Sequence, residues 1–177
     1  FGTGHEEHQG GLIEKIEKLD ADLSGFNSFC LALKSSQIIT LRLQKCYLGP
    51  EALAMLADAI KFMATPVEVV ILDGNPIGLP LKVELRPGAS TGVEIKTGAF
   101  ATVNGWWVEI LDACPNDDYM NIKWLDTGST DSTTDEKKKS NFKNIVATRR
   151  DLLEDYSHIQ SLGEALSGSK VHTYGLA

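Results

Sequence analysis

The sequence lacks several features that would quickly assign it to a functional class. Its 177 residues contain no apolar run of the roughly 18–20 residues that a membrane-spanning helix needs. Lysine and arginine together number 17 against 24 acidic residues, which gives a net charge of −7. An acidic chain has no general electrostatic attraction to nucleic acid. We therefore expect neither a membrane span nor nucleic-acid binding.

Cysteine is scarce, and the three residues of this type form no paired motif. Cys30, Cys46 and Cys114 are spaced neither as a zinc ligand set nor as a redox pair. Scattered thiols are typical of a reducing compartment, so we predict an intracellular location, cytoplasmic or organellar. The chain also lacks a glycine-rich phosphate loop after a strand and a Ser-His-Asp set. We predict a protein without enzymatic activity, cofactor or metal.

Residues 1–21 are predicted to form an N-terminal tail followed by a capping helix. The chain starts at Phe1 with no initiator Met and no signal-peptide pattern, which predicts a processed, truncated or partly observed polypeptide. His5 and His8 have the spacing of two metal ligands on one helical face, but a solvated tail is the interpretation we favour. The helix would either cap the next segment or bind a partner. It is predicted from apolar residues at helical spacing: Leu12, Ile13, Ile16 and Leu19.

The most informative feature is a pattern that occurs twice at an interval of 29 residues. I-x-x-L-x-L-x-x-C-x-L-G over residues 38–49 returns as V-x-x-V-x-L-x-x-N-x-I-G over residues 67–78. The alternating apolar residues predict a short strand with one face in a core. Cys46 and Asn75 fall at the turn after each strand, where a side chain can bond neighbouring backbone groups. Between the strands, residues 53–63 have the spacing of an amphipathic helix.

This pattern resembles the leucine-rich repeat of the ribonuclease-inhibitor type, in which each unit alternates a strand with a full helix. The stretch L-G-P-E-A-L-A-M-L-A-D-A-I-K-F-M-A and the later L-D-G-N-P-I-G also resemble repeats abundant in unicellular algae and related protists. The resemblance implies a solenoid of parallel strands and helices whose exposed strand face binds other proteins.

A third copy of the pattern lies near the end of the sequence. Residues 155–177 align without gaps on residues 22–44, so the segment between the second and third copies is predicted to be an insertion. We therefore divide the chain into leucine-rich repeats at 22–79, an insert at 80–153, and a resumed, truncated repeat at 154–177. The last strand stops before its turn position. We expect its edge to be covered by further repeats or by a partner subunit.

The insert loses the helical period and shows short β-type runs separated by glycines. We predict strands at 96–103, 106–111, 119–125 and 142–146, with an Asn-Gly hairpin turn after the first. An aromatic-led strand, a hairpin and a strand that ends in Asp-x-Gly resemble an SH3-like barrel of the Tudor type. Tudor domains that read methylated side chains hold them in an aromatic cage.

Strand alternation assigns the rings of this insert to two faces. It predicts that Trp106 and Trp124 face inward, and that Trp107 and Tyr119 face outward as candidate binding residues. The alternative is that these rings belong to the core and to packing surfaces. No complete cage can be assigned position by position.

Residues 124–129 read W-L-D-T-G-S, which matches the active-site string of aspartic peptidases. Their chemistry needs two aspartates that share one proton, so a single copy would require a dimer that uses Asp126. A hydrophilic segment follows where that family has another strand, so we expect an ordinary hairpin turn. The acidic side chains of this loop lack the frame of a calcium site. They are Asp126, Asp131, Asp135 and Glu136.

The predicted fold class is therefore an α/β leucine-rich-repeat solenoid interrupted by a small antiparallel SH3-like β-barrel. Equivalent positions on its exposed strand face should form rows across the sheet. The rows are Thr40/Val69/Thr173, Arg42/Ile71/Gly175 and Gln44/Asp73/Ala177. The candidate binding residues on this face are Arg42, Gln44, Val69, Ile71 and Asp73.

We predict a non-catalytic protein–protein interaction or scaffold protein that belongs to a larger assembly. Mixed, small and partly apolar rows suit a protein-binding surface. The alternatives are a lineage-specific peripheral subunit of an organellar complex, such as a photosynthetic or respiratory one, and a Tudor-like reader of methylated peptide. The least favoured alternative is a dimeric aspartic peptidase.

Overall fold

The computed structural model describes residues 5–9, 12–113, 118–125 and 135–175. Cys114, Ala177 and the D-T-G-S string at 126–129 lie outside these residues, as does Asp131 of the acidic loop. The chain divides into two compact units. One comprises Phe1–Leu81 and Tyr156–Ala177, and the other is Lys82–Asp155.

Besides two 3₁₀-helices, Lys139–Asn141 and Arg149–Asp151, the described regular structure consists of twelve strands and three α-helices. In chain order they are β1 (His5–Gln9), β2 (Leu12–Lys18), α1 (Ser24–Lys34), β3 (Thr40–Arg42), α2 (Pro50–Lys61), β4 (Val69–Ile71), β5 (Lys82–Leu85), β6 (Phe100–Val103), β7 (Trp106–Asp112), β8 (Tyr119–Trp124), β9 (Asp135–Lys138), β10 (Phe142–Val146), β11 (Leu152–Asp155), α3 (Ser157–Gly168) and β12 (Thr173–Gly175).

The first unit begins with an antiparallel hairpin of β1 and β2. The amphipathic helix predicted over this region is therefore wrong, since Leu12–Lys18 is a strand. A run of seven residues covers less than two complete helical turns, so its apolar spacing cannot decide between helix and strand. Pairing with β1 then supplies the backbone hydrogen bonds that a helix would have made internally.

Three short parallel strands form the sheet of the first unit, in the order β12-β4-β3. Val69 pairs with Thr40 on one side and with Thr173 on the other, so the first predicted row is confirmed. The second row is confirmed in the same way, because Ile71 pairs with both Arg42 and Gly175. An interval of 29 residues in the sequence thus fixes the register of the first two strands.

The three helices pack their apolar faces into one core together with the buried side of this sheet. Helix α2 begins with Pro50 after Gly49, which suits a first turn whose N–H groups have no helical partner. The main core side chains from the helices are Phe26, Cys30, Leu33, Leu53, Leu56, Ile60 and Leu162. Those from the strands and their ends are Leu41, Leu43, Val70 and Leu72.

The side chain of Asn75 bonds the turn regions after β3 and β4 to each other. Its Oδ1 accepts hydrogen bonds from the backbone N–H of Cys46 at 3.1 Å and of Leu48 at 3.0 Å. Its Nδ2 donates to the carbonyl of Leu43 at 2.7 Å and to that of Leu72 at 2.6 Å. The prediction that this position bonds neighbouring backbone is confirmed.

The second unit is built on a curled antiparallel sheet of five strands, a half barrel, in the order β10-β6-β7-β8-β9. Three of the predicted strands are confirmed nearly to the residue, and the first is shorter, starting at Phe100. The predicted Asn104-Gly105 turn is also confirmed, with φ of +52° and +90° at its two residues. Strand β9 occupies the hydrophilic stretch that we expected to be a loop.

A separate two-stranded ribbon of β5 and β11 pairs the first and last residues of this unit, with Lys82 opposite Asp155. Arg86 holds its other end, because Nε donates to the carbonyl of Arg150 at 2.8 Å and Nη2 to that of Leu152 at 3.3 Å. This ribbon was not predicted.

The predicted fold class is wrong. The chain is a mixed α/β protein with a curled antiparallel half-barrel sheet and few helices, and no solenoid of parallel strands is evident in the described residues. The repeat pattern correctly gives local pairing, but the parallel strands number three and each has three residues. The largest sheet is antiparallel and arises from residues that carry no repeat pattern.

Replacing Asn75 with Ala should destabilise the first unit by about 2–4 kcal/mol. The reason is that two backbone N–H groups and two carbonyls, all in partly buried hydrogen bonds, lose their partner. Urea denaturation followed by helical circular dichroism would measure this loss, since α1, α2 and α3 all lie in the first unit.

Gln37→Ala is the matched control, because Gln37 is exposed and its amide makes no hydrogen bond within the described residues. It should leave the midpoint unchanged. Equal midpoints for the two variants would show that Asn75 does not hold the turns together.

Candidate functional site

The exposed face of the parallel sheet carries the residues predicted to bind a partner. Val69 and Ile71 on the central strand are half-buried between the neighbouring strands. Thr40 and Arg42 on β3 are exposed, as is Thr173 on β12. The alternate residues of β3 and β4, Leu41 and Val70, are buried in the core, whereas Tyr174 of β12 is 65% exposed.

The third row is organised by Asp73. Gln44 donates from Nε2 to Oδ2 of Asp73 at 3.3 Å. A side chain at Gly175 would collide with the Asp73 carboxylate, so the glycine lets this carboxylate lie close to the backbone of β12. Ala177, the third predicted member of the row, lies outside the described residues.

This face combines two partly covered apolar side chains with an exposed cation. The guanidinium of Arg42 makes no hydrogen bond or ion pair within the described part of the chain. Arginine beside apolar side chains is a common composition of binding hot spots, because its planar group both stacks and forms paired hydrogen bonds. The arrangement can bind an extended or flat protein surface that brings an apolar group to the centre and a carboxylate to Arg42.

The predicted orientation of the tryptophan pair at 106–107 is reversed. Trp107 is only 5% exposed, whereas Trp106 is 38% exposed. A prediction that assumes one buried face fails here because β7 carries buried side chains on both of its faces. Trp107 packs in a second cluster on the opposite face from Val108 and Ile110. That cluster consists of Val83, Phe100, Trp107, Leu125, Val146 and Leu152.

Tyr119 is 52% exposed, as predicted, but it does not form an outward pair with Trp107. Trp124 is half-buried against the core of the half barrel, and the Lys137 ammonium lies 5.8 Å from the centre of its ring. By register, Trp106 and Trp124 share one face of the sheet. The aromatic rings of this unit therefore divide between two faces and do not gather at one exposed point.

The histidines and cysteines are dispersed. His158 on α3 is buried, while His172 is exposed. His5 and His8 fall on strand β1 rather than a helix. Among the described residues, no three His, Cys, Asp or Glu side chains are placed to hold a metal ion.

Cys30 lies on α1 beside α2 and is 4% exposed. Burial raises the pKa of its thiol to about 11, with Lys34 opposing this change and Asp58 adding to it. A thiol with this pKa is protonated at neutral pH and is a poor nucleophile.

None of the helices in the described part of the chain has both the length and the apolar character needed to cross a membrane. Compared with known proteins, the chain matches no protein-family model, no curated protein and no solved structure.

Trp107→Ala should lower the stability of the second unit by about 3–5 kcal/mol, because it opens a cavity in the cluster beneath the ribbon. Trp106→Ala, at an exposed neighbouring position, should change it by less than about 1 kcal/mol. Urea denaturation followed by the fluorescence of the two remaining tryptophans would compare the two variants. A smaller effect at Trp107 than at Trp106 would restore the orientation expected from simple alternation.

Cys30 should react with iodoacetamide at pH 8 about 100-fold more slowly in the native protein than in urea, because its raised pKa leaves little thiolate. Cys46, which is half-exposed, serves as the internal control. Peptide mass spectrometry resolves the two residues.

Since the folded-state pKa of the Cys30 thiol exceeds its unfolded-state pKa, this thiol should favour the native state at neutral pH. That contribution should disappear as the pH rises through about 11.

Proposed function

We propose that this protein is a non-catalytic interaction protein that binds a protein partner through the exposed face of its parallel sheet. The observation that carries the proposal is the placement of Val69 and Ile71 on the central strand, half-buried, with Arg42 exposed beside them. A narrower form of the proposal is a peripheral subunit of an organellar complex, which would use the same face.

The pairing of the strands makes this face a preorganised surface. Thr40, Val69 and Thr173 are held in one row by main-chain hydrogen bonds, so a partner would not have to order them on binding. Preorganisation lowers the entropic cost of association. Val69 and Ile71 are already partly covered, and completing their burial would contribute about 1 kcal/mol each.

Arg42 would fix the orientation of a partner bound at this apolar centre. A partner carboxylate can meet its guanidinium with two parallel hydrogen bonds, which fixes orientation more strictly than an apolar contact does. Asp73 lies on the next row and already accepts a hydrogen bond from Gln44. The face therefore presents the exposed donors of Arg42 and the carboxylate of Asp73, which is held in place, as polar groups near Ile71.

Ile71→Glu should reduce recovery of the partner at least tenfold, because it places a charge at the apolar centre of the face. The experiment is quantitative affinity purification from native cells, with partners identified by mass spectrometry. Arg42→Glu should have a similar effect, and thermal denaturation would verify that both variants fold.

Ile159→Glu is the matched control, since Ile159 is a 36% exposed isoleucine on α3 in the same unit. It should retain the partners of the wild-type protein. Recovery of the same partners by Ile71→Glu and Arg42→Glu would place the binding surface elsewhere. The identity of the partners would then decide whether the narrower organellar assignment holds.

A further inference from the structure

A groove of about 320 Å³ lies between α1 and α2, on the helical surface of the first unit. Helix α1 contributes Asn27, Leu31 and Lys34, which recur every three to four residues and so line about two turns. Met55 and Asp58 of α2 form the other wall. Leu31 stands at the rim with 59% of its surface exposed. The surface thus combines a groove with a protruding apolar side chain.

The exposed positions of α1 carry no charge. Lys34 is the only charged residue of this helix, and the residues on its outer side are small, amide or apolar. They are Ser24, Gly25, Asn27, Ser28, Leu31 and Ala32. Depletion of charge is the composition that distinguishes the centre of a protein interface from ordinary surface.

An ion pair forms part of the lining of the groove, and an exposed aromatic ring lies near the cation of that pair. Lys34 Nζ lies 2.6 Å from Oδ2 of Asp58, and the same ammonium lies 5.5 Å from the centre of the Phe62 ring. Lys61 Nζ lies 5.9 Å from that ring, and Phe62 is 60% exposed. The groove therefore offers both signs of charge beside an apolar ridge.

We propose that a second copy of this chain occupies the groove and forms a two-fold symmetric dimer through α1 and α2. In such an interface, if residue i of one copy contacts residue j of the other, the reverse contact also forms. This surface is self-complementary in that sense. Leu31 of each copy enters the groove of the other, and Lys34 of each copy meets Asp58 of the other.

Charge also favours a second copy at this location. Each chain carries a net charge of −7, so most faces of two copies repel each other. The groove is an exception, because Lys34 and Asp58 balance and Lys61 adds a positive charge nearby. Repulsion between the remaining charges is largely screened beyond about 8 Å at physiological salt.

Analytical ultracentrifugation over a range of concentrations tests the dimer directly. The wild-type protein should reach twice the 19.3 kDa mass of the chain, and Leu31→Glu should weaken dimerisation at least tenfold. Ile159→Glu and Tyr174→Glu are controls, at exposed positions on α3 and on the edge strand β12. Both should still dimerise.

Charge reversal tests the two-fold pairing. Lys34→Asp and Asp58→Lys should each prevent dimerisation, because like charges then meet across the axis. An equimolar mixture of the two variants should recover it, since both crossed pairs become opposite in sign. Circular dichroism would establish that each variant folds.

Three results would overturn the proposal. The first is a wild-type protein that stays monomeric up to about 100 μM, because the dimer affinity would then be too weak for a standard interface. The second is a dimer that survives Leu31→Glu or is lost with Tyr174→Glu. The third is a charge-reversal mixture that stays monomeric although both variants fold, which would show that Lys34 and Asp58 pair only within one chain.

Discussion

The first unit depends on side chains that bond backbone across the 29-residue interval. Asn75 reaches the turn after β3, and the carboxylate of Asp20 accepts hydrogen bonds from the N–H groups of Gly49 and Glu51 at 3.1 and 2.8 Å. The second contact satisfies N–H donors at the start of α2, which Gly49 at the N-cap cannot do because it has no side chain. Strands of three residues make too few ladder bonds to hold their register alone. These side chains supply the missing connections at each turn.

The sequence predicts those parts of the fold that depend on neighbours at a fixed interval. The pairing of Val69 with Thr40 and the role of Asn75 follow from a pattern that repeats without a gap. The ribbon of β5 and β11 could not be predicted, because Lys82 and Asp155 are far apart in the sequence and neither strand shows a period. The solenoid prediction was wrong because it extended the 29-residue repeat pattern to the whole chain, whereas Lys82–Asp155 does not carry that pattern.

The candidate binding sites divide in the same way. The position of Arg42 and Ile71 on the outer face of the sheet was predicted correctly, because strand alternation needs only the knowledge that one face is buried. The orientation of Trp107 was wrong because β7 has buried side chains on both faces, so alternation there separates two hydrophobic clusters rather than core from solvent. The groove at Leu31 gives no signal in the sequence, since it arises where two helices meet.

The second unit explains how a long interruption leaves the parallel sheet intact. Its first and last strands pair, so the chain enters and leaves Lys82–Asp155 at adjacent points. The entropy of closing a loop grows only with the logarithm of its length, and a folded segment with adjacent ends behaves as a much shorter loop. Tyr174 can therefore pair with Val70 in parallel register although 104 residues separate them. The ribbon that holds those ends together therefore lowers the entropic cost of adding β12 to the sheet, which completes the first and second rows of the exposed face.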